Sequence, residues 1–472
     1  MSLSLALNSA YSGLKASQTQ YGILSRNIEN VQVSHYVRKN AVISSRIVAG
    51  HNLGLQVDVT RDVDEKLIRD VRISAGENSA LSMKADYMKT WSLKIGQPQD
   101  ESSVSSVLNS FKIALQTLEG SPGSQVDQLN VVRAAEKLAT QINSLNNEAQ
   151  RMVGDADNQI KARVDVINAD LKRLEALNKA IAGSGSNVAA VGDLMDERDM
   201  IADRISSEIG ITTYLRDNGE MVVLTRGGAT LLDGSAVTLD FTSRGDLRTS
   251  DGTLLTPKEG NPSGIKSGAL AGLFDVRDNV MPEFMKQLDD LASGIIRQFE
   301  AADSSLAPGQ AGLFTDSGNA YNEANNVGLA GRIKVNSAVI PSQGGDVWRI
   351  SAGIGATAPL PNADATQVSA FVSAFSTTMT FGSSEKLPNS SKLEDFAVSL
   401  VSAQQYERTS TDSSLRISKI SLSTLQETRM NRDGVNVDDE LMKVQTVQQS
   451  YQASAAVLKS VQDMLDQLLS IA

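Results

Sequence analysis

Cysteine is missing altogether from the 472 residues, which excludes disulfides, thiolate metal sites and thiol nucleophiles. Histidine is nearly missing. His35 and His51 are the two present, too few for a zinc site or a histidine-based triad. Positive charge is in deficit: 44 Lys plus Arg face 55 Asp plus Glu, a net charge of −11. A nucleic-acid binder carries a basic excess or a basic stripe, and this sequence has neither. No hydrophobic run approaches the roughly 18 residues of a membrane helix. There is no H-E-x-x-H motif and no G-x-S-x-G elbow. Arg226-Gly227-Gly228 is not followed by the Lys-Ser/Thr of a phosphate loop. The opening residues lack a charged n-region, a continuous h-region and a small-residue cleavage site, so no cleaved leader is predicted. No enzyme activity is expected, nor any catalytic, cofactor-binding or metal-binding residue, and neither nucleic acid nor membrane is expected as a partner.

Aromatic residues are scarce at 4%, while hydrophobic residues reach 41%, mostly Ala, Leu, Val and Ile. Small aliphatics at helical spacing predict long helices with thin apolar seams rather than bulky cores. Leu7, Ala10, Leu14, Ser17, Tyr21, Leu24, Ile28 and Val31 alternate steps of three and four, a narrow helical stripe. Residues 32–53 read as polar connection, with both histidines as loop residues. Residues 54–60 alternate like one half-buried strand. Helices are predicted from about 63 to 95 and from 102 to 119, the second ending at Glu119-Gly120-Ser121-Pro122-Gly123.

Residues 126–181 hold no proline and one glycine, Gly154. Their apolar seam slips once between Ala156 and Val164, which unwinds a supercoil locally without breaking a helix. Unbroken, that helix is on the order of 80 Å long, a length that suits an extended structural protein. Gly183-Ser184-Gly185-Ser186 ends it, and a short helix follows at about 193–208. Its Asp196, Glu197, Arg198, Asp199, Asp203 and Arg204 read as a solvated ion-pair face, not a carboxylate site. Strands are predicted at 211–216 and 221–225 around an Asp217-Asn218-Gly219-Glu220 turn, and again at 230–232, 237–241 and 253–255. Residues 267–303 read as helix kinked or restarted at Pro282. Residues 304–345 are loop-rich with a strand at 332–335, and 346–390 are mostly irregular with short helices. The chain closes with helices at about 392–429 and 437–470, broken at Asn431-Arg432-Asp433-Gly434. The last has a seam of Val437, Leu441, Val444, Tyr451, Ala455, Leu458, Leu465 and Leu469, interrupted by Gln448 and Gln462. Asp438, Asp439 and Glu440 suit its positive end.

The predicted fold is mainly α with an inserted β-rich part. Its terminal helices pair as a coiled-coil stalk, beside a long helical bundle domain and a small outer α+β/β domain. The expected partition is 1–45 with 435–472 as the terminal domain; 46–208 with 268–305 and 392–434 as the bundle; and 209–267 with 306–391 as outer insertions. Thin terminal stripes bury little apolar area against their ordering entropy. Both termini are therefore expected to be largely disordered in a free monomer and to fold on assembly.

Several motifs carry a family resemblance. Ser25-Arg26-Asn27-Ile28-Glu29-Asn30, followed by Tyr36 and Arg38, resembles the N-terminal motif of flagellar rod, hook and hook-associated axial proteins. His35 stands where a glycine usually precedes the tyrosine. Residues 54–64 are similar to the strand-to-helix segment that follows it. Leu194-Met195-Asp196-Glu197-Arg198-Asp199 resembles the Leu-Leu-Asp-x-Arg-Asp signature of the hook-associated protein 1 family. Ser267–Leu273, Gly434–Leu441 and Gln448–Ala453 resemble its returning and C-terminal helices.

The resemblance implies a structural adaptor at the hook–filament junction, a ring of identical subunits on the hook tip that seats the next junction protein and the filament. It implies secretion through the flagellar type III channel, an export chaperone at the C-terminal helix, and hook protein and hook-associated protein 3 as neighbours. It favours an inter-subunit role for Asn27 and Asn30, while Tyr36 and Tyr451 read either as packing anchors at a subunit contact or as part of the chain's own core. With Leu7, Leu14, Tyr21, Leu24, Ile28, Val444, Leu458, Leu465 and Leu469 these make the candidate assembly residues. The alternatives are another axial protein, hook-associated protein 3 or flagellin, and more remotely an exported effector.

Overall fold

The computed structural model describes residues 3–33, 36–48, 51–183, 188–382 and 386–471. His35 and most of the Gly183–Ser186 breaker lie outside them, as do the side chains of His51 and Leu469. The chain is mainly helical with small antiparallel sheets, as its patterning predicts, and forms two compact units.

The first unit comprises Met1–Ser79, Ala162–Ala271 and Ile417–Ala472. The first helix, α1 (Leu3–Glu29), packs antiparallel to the last, α11 (Val437–Ile471). A side chain at Gly13 would come 2.8 Å from Ser454 Oγ, and further along Asn27 bonds to Glu440. Ala10, Ala16, Ser17, Ile23, Leu24 and Asn27 are buried along α1. On α11 the inward positions are Glu440, Val444, Val447, Ser454, Leu458 and Val461. The predicted interruptions at Gln448 and Gln462 are thus corrected. The helix is rotated so that Val447 and Val461 turn inward and both glutamines face out.

Beside α1 lies a hairpin of β1 (Lys39–Val48) and β2 (His51–Arg61), paired from Lys39↔Arg61 at its base. The single strand expected at 54–60 is therefore one arm of a longer hairpin, and His51 opens a strand rather than sitting in a loop. The partner arm, Lys39-Asn40-Ala41-Val42-Ile43-Ser44-Ser45, carries adjacent apolar residues instead of clean alternation, so its pattern gave no strand signal. Gly54 has φ +111°, and a Cβ there would lie 2.9 Å from Ser12 Cβ, which requires glycine where β2 crosses α1.

Helix α2 (Glu65–Ile95) begins at Asp64, whose Oδ1 accepts the Lys66 and Leu67 N–H groups. After α3 (Val104–Gly120) comes α4 (Gln125–Gly183), 59 residues without a break. Ala156, Ile160 and Val164 are all buried across the seam slip. Helix α5 (Val188–Ile209) leads into a four-stranded antiparallel sheet of β3 (Ile211–Leu215), β4 (Met221–Thr225), β5 (Thr230–Asp233) and β6 (Ser235–Ala236). A separate pair follows, β7 (Leu239–Phe241) and β8 (Leu247–Thr249). The strand expected at 253–255 reduces to a single bridge, Leu254 against Arg248 of β8. Two asparagines of α4 hold these strands. Asn178 donates to Met221 O (2.8 Å) and accepts its N–H (3.1 Å). Asn168 does the same for Leu239, at 2.9 and 2.8 Å.

The second unit comprises Ala80–Lys161 and Gly272–Arg416. The predicted helix from 267 runs as α6 (Ala269–Asp275), one π turn (Val276–Val280) and α7 (Met281–Ala302), restarting at Pro282 as expected. Arg277 in the π turn is buried against Asp157 at 3.0 Å and lies over the Phe274 ring. Then come β9 (Phe314–Asp316), β10 (Ile333–Val335), α8 (Arg349–Ala352), α9 (Thr366–Ala374), β11 (Met379–Thr380), β12 (Ser390–Ser391) and α10 (Leu393–Asp433).

The expectation of thin seams fails in this unit. Phe111, Phe299, Phe314, Phe371 and Phe375 form one buried cluster with ring centroids 5.3–5.9 Å apart. Half of the ten phenylalanines are gathered there, so low aromatic content did not mean a core without rings. Irregular chain docks on α7 through Asp289, whose carboxylate accepts the Gly328 and Ala330 N–H groups, both at 2.7 Å.

Candidate assembly site

The Ser-x-Asn-Ile-x-Asn motif closes a node at the inner end of the terminal helix pair. Asn27 is fully buried. Its Nδ2 donates to Lys39 O (2.9 Å) and Glu440 Oε2 (2.8 Å). Its Oδ1 accepts from Tyr36 Oη (2.8 Å) and the Lys39 N–H (3.1 Å). A side-chain amide has two donors and two lone pairs, so all of its capacity is used inside one chain. The node joins α1, the start of β1 and the first turn of α11. Glu440 also accepts from Lys443 at 2.8 Å. It does more than favour a helix end: it is fully buried, while Asn436 accepts the Asp438 and Asp439 N–H groups as the cap. Burial pushes the Tyr36 hydroxyl well above its ordinary range, so it stays a donor.

From Lys39 a ladder of charges runs along α5. The Lys39 ammonium lies over the Tyr36 ring at 4.6 Å and pairs with Asp193 and, at 3.3 Å, with Asp196. Arg61 reaches Asp196 at 2.9 Å and Asp199 at 2.8 Å. Arg72 of α2 takes Asp199 at 3.2 Å and Asp203 at 2.6 Å. Arg429 of α10 closes it on Asp203 at 2.8 Å. The acids recur at helical spacing, one face of α5. Lys39 and Arg61 sit opposite each other at the hairpin base. Like charges so placed repel, and Asp196 between them removes the conflict.

This ladder corrects the expected solvated face. Asp199 and Arg198 are 7% and 2% exposed. Burial pushes the Asp199 carboxyl up, but Arg72 and Arg61 beside it reverse that and hold it below the usual range. Burial prevails at Asp196, which is raised despite Arg61 and Lys39. Among the described residues no cluster of three or more acids, histidines or cysteines is placed to hold a metal.

The remaining candidate residues divide. Leu24 is buried, and Leu7, Leu14, Ile28, Tyr36, Val444 and Leu458 are half-buried. Tyr21, Tyr451 and Leu465 stand 48%, 42% and 38% exposed. Asn30 is half-buried and donates to Arg26 O in its own helix. Sequence reasoning missed Lys39, Arg61, Arg72 and Arg429 as partners of the Asp196–Asp203 stripe. An acidic face at i, i+3 and i+7 is the only local sign of them, and it does not say whether the cations are solvent-borne or built in.

The comparisons with known proteins bear on these same segments. Two family patterns match: the flagellar hook-associated protein FlgK helical domain over residues 95–307, and the flagellar basal body rod FlgEFG protein C-terminal region over 426–471. With the motifs and the paired terminal helices, these matches make the chain similar to flagellar rod, hook and hook-associated axial proteins. Within that class the chain resembles flagellar hook-associated protein 1, as its signatures indicated. It is 25% identical to that protein of Salmonella typhimurium over 314 residues, 63% of this chain and 56% of the relative. With the Bacillus subtilis protein of the same name it shares 22% identity over 522 aligned positions, 99% of this chain and 98% of the relative. The match thus spans little more than half the length of the Salmonella relative. The solved hook junction protein FlgK from Burkholderia pseudomallei aligns with a TM-score of 0.44 and 19% identity, over 54% of this chain and 49% of that one.

Proposed function

We propose that the chain is a structural adaptor at the junction between flagellar hook and filament. It assembles as a ring of identical subunits on the hook tip and seats the next junction protein and the filament. The observation that carries this reading is the meeting of the two signatures. The Asn27 motif and the Asp196–Asp199 motif are joined through Lys39 into one buried construction, and that construction holds the paired terminal helices. In this reading the exposed Tyr21, Tyr451 and Leu465, with the half-buried Leu7, Leu14, Ile28 and Leu458, meet neighbouring subunits. Asn27 acts on them indirectly, by fixing the helix pair. Asn30, Tyr36 and Val444 frame the node. The partners are hook protein on one side, hook-associated protein 3 on the other, and an export chaperone at α11 before secretion through the flagellar type III channel.

A clean deletion tests the reading, scored by electron microscopy of cells and a blot of the medium for flagellin. The expected result is bare hooks with flagellin shed outside, because export works while the filament has no seat. Missing hooks, bare hooks without secreted flagellin, or normal filaments would each contradict it.

A further inference from the structure

The first unit contains a cavity of about 470 Å³ outside the helix pair, within the size range of small-molecule sites. Its lining includes the apolar Val59, Val63, Met195 and Leu215. It also carries four arginines, Arg61, Arg69, Arg72 and Arg198, against two acids, Glu65 and Asp199. Arg61 and Arg72 already have aspartate partners in the ladder. Arg198 does not: among the described residues its guanidinium has one hydrogen bond, Nη1 to Gly219 O at 2.7 Å. It is 2% exposed, and its Nε–H is buried without an acceptor. Arg61 Nε is in the same condition. Burial lowers the affinity of Arg198 for its proton, and the neighbouring Arg61 and Arg72 charges lower it further against the pull of Asp199. A buried cation with an orphaned donor is costly unless an anion completes it.

We propose that this cavity is a binding site for a small amphipathic carboxylate. Its head accepts from the Arg198 and Arg61 Nε–H groups, and its alkyl tail lies against the apolar lining residues such as Val59 and Leu215. Charge-assisted hydrogen bonds are the strong ones, and a carboxylate is the anion whose apolar remainder suits the apolar part of the lining. The site does not depend on the junction reading, and either can fail alone.

Calorimetric titration of the full chain with decanoate below its aggregation concentration tests it, with decanol and acetate as controls. The expected result is saturable one-to-one binding of decanoate and none of either control. Arg198→Gln should weaken binding about 10- to 100-fold with an unchanged far-ultraviolet spectrum. Leu215→Trp, at a half-exposed strand position, should fill the cavity and abolish binding while leaving Arg198 intact. No binding of decanoate by the intact chain means the cavity holds water only and overturns the proposal. Equal binding of decanol removes the guanidinium role, and undiminished binding by either folded variant places the ligand elsewhere; both overturn it too.

Discussion

Asn27 shows how much one side chain can decide. Its four hydrogen bonds tie together a helix end, a strand start and the first turn of the last helix. Asn27→Ala leaves Glu440 Oε2, the Tyr36 hydroxyl and the Lys39 peptide without the bonds Asn27 makes to them in a dry place, a cost on the order of 3 kcal/mol. Amide exchange should report it. In the free chain, residues 23–31 and 437–447 should be more protected than the helix ends beyond them, and the substitution should erase that difference. Asp290 on α7 offers a separate test in the second unit. Burial raises its carboxyl from 3.8 to about 6. The folded state therefore keeps a proton that the unfolded state releases between those values. The stability this supplies is present below pH 3.8 and lost as pH rises to about 6. Asp290→Asn should flatten this part of the pH–stability curve of the second unit and raise its midpoint at pH 7, measured by thermal unfolding. Asp199 works in the opposite sense: held below 3.8, it supplies stability above that pH that is lost as pH falls further.

At the scale of elements, the terminal pair is thin where the bundle is thick. Outward from the node, α1 buries Ala10, Ala16 and Ser17, and α11 buries only Val461 among the described side chains beyond Val447. Small side chains release little free energy on burial. The far halves of both helices should thus exchange fastest in a monomer, and strong protection there would contradict the account. Gly13 lets the two helices approach, so Gly13→Leu should separate them at a cost of about 1–3 kcal/mol. Swimming in soft agar should be lost while secretion of the variant persists.

These elements also show how far the sequence could be read. Long helices with regular seams were legible, including the unbroken α4 and the restart at Pro282, because helical periodicity and proline act locally. The hairpin arm at Lys39–Val48 was not, since its pairing depends on β2 and α1 rather than on its own alternation. The α11 seam was read correctly at Val444 and Leu458 and one position off at Gln448 and Gln462, because Val447 and Gln448, like Val461 and Gln462, are adjacent, and only a partner decides which faces in. The charged ladder was misread for the same reason. Asp196, Asp199 and Asp203 announce a face, but their cations come from residues up to 226 positions away.

At the scale of the molecule, the claim is that this chain joins two flagellar structures. Three of the motifs that resemble hook-associated protein 1, those around Asn27, Asp196 and Glu440, are far apart in sequence yet meet within the first unit at the terminal helices. An adaptor needs that convergence, because subunit contacts at the termini must be held firmly to a folded body. The most direct test is immunogold electron microscopy of intact flagella, with an epitope inserted at the Asp217–Glu220 turn. The account predicts a single band of gold where hook meets filament. Labelling spread along the filament, confined to the rod, or absent from the flagellum would contradict it.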